Sequence, residues 1–211
     1  MKKYYLLAIP VIAAILIAYY LQNPGQETKE VTTQTLKEDG SPIIGNAGAT
    51  ITILEWGDYQ CTYCYRFHQS SMDIIIDEYV KTGKANFVFR DFPLNGPDSV
   101  LAAEASYCAD DQGRYWEYHD EIYKNWAGER TGWVNRDSLA KFATTVSLDL
   151  EQFNQCLDDK KYNQRVLDNE KFGLDVGIRA TPSFLVITNE KVVKIEGNQP
   201  VSVFRQVLDS T

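Results

Sequence analysis

The chain has 211 residues, 44% of them hydrophobic and 24% charged. That balance excludes a largely disordered, collagen-like or multi-span membrane protein and supplies enough apolar mass for a real core. The formal charge is −8, from 21 basic and 29 acidic residues with no Lys/Arg block. The basic excess that marks nucleic-acid binding is missing, so no nucleic-acid partner is expected.

Residues 4–21 (YYLLAIPVIAAILIAYYL) are uncharged and mostly apolar, with Lys2 and Lys3 ahead of them. The run is long enough to span a bilayer, and Tyr4, Tyr5, Tyr19 and Tyr20 fall where aromatic rings favour the headgroup zone. A cleaved signal peptide is the competing reading, but the end of the run offers no small-x-small cleavage site. We therefore read residues 1–21 as a signal-anchor transmembrane helix. The lysine pair sets a cytoplasmic N-terminus, which places the remaining residues outside the cytoplasm, at the cell membrane. That remainder has 19 basic against 29 acidic residues, a net −10 that favours solubility.

Residues 22–42 are polar and carry Pro24, Gly25, Gly40 and Pro42, which reads as a tether. The domain is expected over 43–211. Ile51, Ile53, Leu54 and Trp56 predict a buried strand ended by Gly57-Asp58. Helical spacing of Tyr65, Phe67, Met72, Ile75 and Tyr79 predicts a helix over 61–81, stopped by Thr82-Gly83. Asn86 to Asp91 alternates as a strand. Residues 97–175 read as a helical block, with Asp137 and Asp149 as candidate N-caps. Ser183 to Ile187 and Val192 to Ile195 predict a hairpin across a short polar link, and Val201 to Leu208 a closing helix.

Four cysteines carry the chemistry: Cys61, Cys64, Cys108 and Cys156. Cys61-Thr62-Tyr63-Cys64 follows a strand and opens a helix. The first turn of a helix has free N–H groups and the positive end of the dipole, which favour a thiolate. Cys61 is thereby exposed and activated, while Cys64 lies one turn inside. Such an asymmetric dithiol attacks with one sulfur and resolves with the other. The plainer readings are an inert disulfide or half a zinc site. A four-cysteine zinc site normally uses two close pairs, whereas Cys108 and Cys156 are far apart in sequence. No metal and no cofactor are expected.

The run Ile53-Leu54-Glu55-Trp56-Gly57-Asp58-Tyr59-Gln60-Cys61-Thr62-Tyr63-Cys64-Tyr65-Arg66-Phe67 resembles the active-site segment of DsbA-like thiol–disulfide oxidoreductases of the thioredoxin superfamily. Ala180-Thr181-Pro182-Ser183-Phe184 resembles the cis-proline segment of that fold. The resemblance covers about 42–209 and implies an α/β thioredoxin fold with a helical subdomain inserted at about 97–175. It also implies roles. Cys61 matches the attacking cysteine and Cys64 the resolving one. Glu55 matches a buried acid that relays the proton of Cys64. Thr181 and Pro182 match the edge that binds an extended substrate. Exported cysteine-containing proteins are the implied substrates, with a membrane quinone-linked redox partner. Three positions depart from the best-known oxidants: Thr62, Tyr63 and Thr181. The absent histidine before Cys64 implies a less acidic Cys61 and a weaker oxidant. Reductase and isomerase activities use the same site and stay open.

Cys108 and Cys156 are either two buried free thiols or one structural disulfide. Thiols outside the cytoplasm tend to pair, which favours the bridge. Closing about 49 residues contributes about 4 kcal/mol in the chain-entropy model. His68 and His119 are read as packing residues. Trp56 is taken as a fluorescence reporter of the dithiol. A non-enzymatic metal carrier on the same fold is a distant alternative; copper carriers of that kind resemble C-x-x-x-C with a downstream histidine, and none follows His119.

Overall fold

The computed structural model describes residues 39–210. The predicted membrane segment and most of the tether lie outside them; among the described residues no helix is long and apolar enough to cross a membrane.

One five-stranded sheet organises the domain. The strands are β1 (Ile44–Gly45), β2 (Ile51–Gly57), β3 (Ala85–Asp91), β4 (Ser183–Ile187) and β5 (Val192–Glu196), in the spatial order β1-β3-β2-β4-β5. β2 runs parallel to β3 and antiparallel to β4, and β4 pairs with β5 as the expected hairpin. Every residue of β2 and β3 is buried, which requires cover on both faces of the sheet.

Side chains alternate between those faces. Leu54 and Trp56 join Val88, Leu185 and Ile187 in one cluster, closed by Phe172, Val176 and Ile178. Ile51 and Ile53 join Phe87, Phe89, Phe184 and Val186 in the larger core. Glu55 shares the face of that larger core by alternation, so an ionisable group sits among aromatic and aliphatic side chains.

The segment between β2 and β3, residues 62–80, is a helical run we label α1. It is α-helical over Thr62–Phe67 and Asp73–Ile75, with π turns over His68–Met72 and Ile76–Val80. The block inserted before β4 holds α2 (Pro97–Asp110), α3 (Tyr115–Lys124), α4 (Arg136–Thr145), α5 (Leu150–Asp158) and α6 (Asn163–Asp175); α7 (Val201–Leu208) follows β5. Cys108 on α2 and Cys156 on α5 form a disulfide, with Cα atoms 5.8 Å apart.

Two expectations need correction. Asp149 caps α5 through Glu151 N and Gln152 N, but α4 is capped by Asn135 rather than Asp137. Asn135 accepts from Ser138 N, and Ser138 Oγ returns a bond to Asn135 N. That reciprocal pair satisfies two end groups at once, and Asp137 falls inside the first turn. The tether reading ends at Pro42, yet the fold already holds the chain from Asp39. Ser41 N donates to Phe89 O at 2.8 Å, Asn169 Nδ2 to Asp39 O at 2.9 Å and Arg165 Nη2 to Gly40 O at 2.6 Å. Polar composition suggested a free segment; distant side chains that bind its backbone make it an ordered one.

Candidate active site

β2 delivers the chain to a tight turn. Gly57 ends the strand because a Cβ there would lie 2.3 Å from the Phe89 ring and 3.2 Å from Glu55 Oε1. Asp58 then anchors the turn. Its Oδ1 accepts from Gln60 N and Ser99 Oγ, both at 2.7 Å, and its Oδ2 accepts from Asn95 N at 2.7 Å. Burial raises its pKa despite these bonds. Gln60 ties the turn to the inserted block: its Nε2 donates to Ser99 Oγ at 2.8 Å, and its Oε1 accepts from Arg130 N at 3.0 Å. Trp126 Nε1 donates to Gln60 O at 2.9 Å, and the Trp126 ring stacks on Tyr65 at 4.6 Å. These clamps come from residues 95–130, beyond the reach of any local motif.

Cys61 is the N-cap of α1 with no side-chain cap bond. Its sulfur therefore stands at the free N–H groups of the first turn. Glu129 Oε1 accepts from Thr62 N at 2.8 Å and occupies one of those groups. Cys61 Sγ donates to Thr181 O at 3.4 Å, beside the Thr181–Pro182 peptide bond, which is cis. The two cysteine sulfurs are unbonded, so this is the dithiol state.

The two thiols differ in environment. Hydrogen bonding from Cys64 is the largest influence on Cys61; burial opposes it, and bonds from the Thr181 side chain and from Cys64 and Tyr63 N–H assist. The net result lowers the Cys61 pKa to about 7. Cys64 is fully buried, and burial pushes its pKa well up. One sulfur is about half ionised near neutrality and the other stays protonated. The expectation of an exposed Cys61 needs adjustment, since the residue retains only 6% exposure.

Glu55 is fully buried, and neither carboxyl oxygen has a hydrogen-bond partner among the described residues. Burial raises its pKa well above the ordinary carboxyl value, and the negative charge of Cys61 adds to the effect. His68 Nε2 lies 3.8 Å from Glu55 Oε2. Burial lowers His68 to about 3, so its ring is neutral near pH 7 and the contact is no ion pair. Trp56 lies in the opposite core cluster from Cys61. Trp126 is the tryptophan bonded to the active-site turn.

Among the described residues one set of three metal-donor side chains converges: His68, His119 and Asp120, with one donor atom of each within 4.8 Å of the others. Tyr59 OH and His119 Nδ1 are 2.8 Å apart, and the His68 ring stacks on Tyr123 at 3.9 Å. We assign this set no metal.

A C-x-x-C dithiol at a helix N-terminus, a cis-proline edge and an inserted helical block are the features of a DsbA-like oxidoreductase. The thioredoxin family model matches residues 37–210. The chain belongs to the DsbA-like thiol–disulfide oxidoreductases of the thioredoxin superfamily. It is 28% identical to disulfide bond formation protein D of Bacillus subtilis over 158 residues, covering 74% of this chain and 70% of that one. It is 26% identical to the probable disulfide bond formation protein D of Bacillus cereus, covering 90% and 91%. Among solved structures it is similar to Wolbachia pipientis alpha-DsbA1, with a TM-score of 0.70, 26% identity, and 80% and 88% coverage.

Proposed function

We propose that this chain donates disulfides to exported proteins outside the cytoplasm, held at the membrane by residues 4–21. The observation that carries this reading is the Cys61–Cys64 pair at the N-terminus of α1, with Cys61 Sγ against Thr181 O beside the cis Thr181–Pro182 bond, in a chain similar to disulfide bond formation proteins.

The reaction begins from the Cys61–Cys64 disulfide. A substrate thiolate attacks Cys61 Sγ, the S–S bond breaks, and Cys64 leaves with the electron pair. Protonated Glu55 gives Cys64 its proton. A second substrate thiolate then attacks the substrate sulfur of the mixed disulfide and expels Cys61 as a stabilised thiolate. The substrate gains a disulfide, and the enzyme gains two electrons. An extended substrate segment pairs with the edge at Thr181 and Pro182. Tyr63, 55% exposed between the cysteines, offers it an apolar contact. A membrane quinone-linked protein takes the electrons and restores the disulfide.

The test is the equilibrium potential of the dithiol against glutathione, measured on the protein lacking residues 1–22, with Cys61→Ser as control. A potential of about −120 to −160 mV supports an oxidant. A value below about −220 mV reverses the direction and makes the protein a reductase.

A further inference from the structure

Glu55 must exchange a proton with solvent in every cycle, yet it has no exposure. The route out can be read from the groups around it. Its strand neighbours across the sheet are Phe89 and Phe184, neither of which carries a proton. The titratable groups near it are the two cysteines, Tyr123 and His68.

His68 is placed to serve both ends. It follows Cys64 by one turn of α1, and its backbone N–H donates to Cys64 O. Side chains four apart on a helix share a face. Its Nε2, sealed from solvent and without a partner, lies 3.8 Å from Glu55 Oε2. The side chain as a whole keeps 5% exposure, and its other ring nitrogen is not among the sealed, unpartnered atoms. It packs against α3. Tyr123 stacks on its ring at 3.9 Å, His119 lies 4.8 Å away between centroids, and a carboxylate oxygen of the exposed Asp120 comes within 4.8 Å of its donor atom. Asp73, on α1, adds negative charge at Asp120, as does Glu117. A π turn starts at His68, the kind of local widening that recurs at functional sites.

We propose that His68 is the proton relay between Glu55 and solvent, with Asp120 collecting protons at its outer end. The inference rests on the function proposed above. After Cys64 takes its proton, Glu55 is left as a buried carboxylate. His68 passes the proton on Nε2 to Glu55 Oε2 and accepts another from Asp120 or water on its outer nitrogen. Charge balances at each transfer, and the imidazole ends in its other tautomer. Reoxidation runs the path backwards. Although the residue keeps an exposed edge, desolvation of its carboxylate brings Asp120 to about 6, assisted by Asp73 and Glu117, so it loads and unloads protons near neutrality. His119 has its Nδ1 engaged with Tyr59, which is also bonded by Ser106 Oγ at 2.8 Å. It serves as the wall that holds the His68 ring.

The test uses the full chain in detergent, oxidised, with reduction by a small dithiol followed through Trp126 fluorescence. A relay changes rates and leaves equilibria alone. In His68→Gln the reduction rate at pH 7 is expected to fall about 100-fold, the lower end of what proton transfer contributes. Small buffer acids such as imidazole should restore it, while the equilibrium constant with glutathione stays within about twofold and the Cys61 thiolate titration does not move. Asp120→Asn, an exposed change, should lose the rate inflection near pH 6. Wild-type rates in His68→Gln without buffer dependence overturn the relay, as does a rate loss matched by a shifted equilibrium constant. If His68→Gln does not fold, Asp120→Asn decides: an unchanged pH–rate profile overturns the relay. If the wild type itself fails to oxidise dithiols, the proposed function fails instead.

Discussion

Replacing Cys64 by Ala tests the origin of the Cys61 acidity directly. Hydrogen bonding from Cys64 is the leading cause of the drop from 9.0 to about 7, so the variant's titration should move back towards 9.0. At pH 7 the wild type is then about half thiolate, against about one part in a hundred for an ordinary thiol. Thiolate nucleophilicity falls with acidity on a Brønsted slope near 0.5, so the wild-type thiolate is about tenfold less reactive per molecule. The net advantage at pH 7 is about fivefold. At pH 10 both are ionised and the variant attacks about ninefold faster, so the two rate profiles cross near about pH 8. The assay is the first-step rate with a chromogenic aromatic disulfide between pH 5 and 10. Cys108 and Cys156 are bonded to each other, which leaves Cys61 as the sole thiol of the variant. Profiles that share one midpoint, or that never cross, refute the reasoning.

The same titration has a stability counterpart. The Cys61 pKa is depressed in the folded dithiol, so its contribution is full above pH 9, shrinks as pH falls, and is gone below about pH 6. It amounts to about 2 kcal/mol at pH 9 and about 0.4 kcal/mol at pH 7, less whatever solvent screens at the sulfur. Urea titrations of the reduced protein and of Cys61→Ser, compared across that range, measure it. For Glu55 the sign is opposite. Its pKa is raised on folding, so a penalty grows as pH climbs above its ordinary 4.5. Glu55→Gln should therefore stabilise the fold at pH 7 by on the order of 1–3 kcal/mol while slowing thiol exchange; a loss of stability at pH 7 contradicts the buried, protonated carboxyl. Gly57→Ala should cost about 1–3 kcal/mol, because its Cβ meets the Phe89 ring, and a denaturant midpoint unchanged from wild type removes that account. The double change Cys108→Ala with Cys156→Ala should cost about 4 kcal/mol and leave Cys61 titrating as before.

Much of this was legible in the chain itself. β2, α1 and the β4–β5 hairpin follow from apolar periodicity, and Cys61, Cys64, Thr181 and Pro182 from the motif resemblance. Those signals are local. The parts missed depend on contacts across long sequence distances. Asp58, Gln60 and Glu129 look like ordinary loop and surface residues until Ser99, Arg130 and Thr62 N are brought to them. His68 reads as packing because its value depends on Glu55, whose burial no pattern in β2 announces. Trp56 lies five residues from Cys61 yet faces the other side of the sheet, since alternation along a strand outweighs proximity in sequence. Asp137 reads as the cap of α4 because its residue type suits an N-cap; the answering Ser138 hydroxyl, which selects Asn135, is a structural fact.

The Cys108–Cys156 bond has a consequence for the protein's own biogenesis. Both cysteines are nearly sealed, at 1% and 6% exposure, and they lie 48 positions apart in the chain, on two different helices. A nascent molecule must acquire that bond while those helices are still accessible. It is therefore itself a client of disulfide formation. A cell that makes this protein needs either an earlier-made copy or another oxidant to mature each new one. A culture shifted abruptly to reducing conditions should lose the newest molecules first and keep the older, already bridged ones.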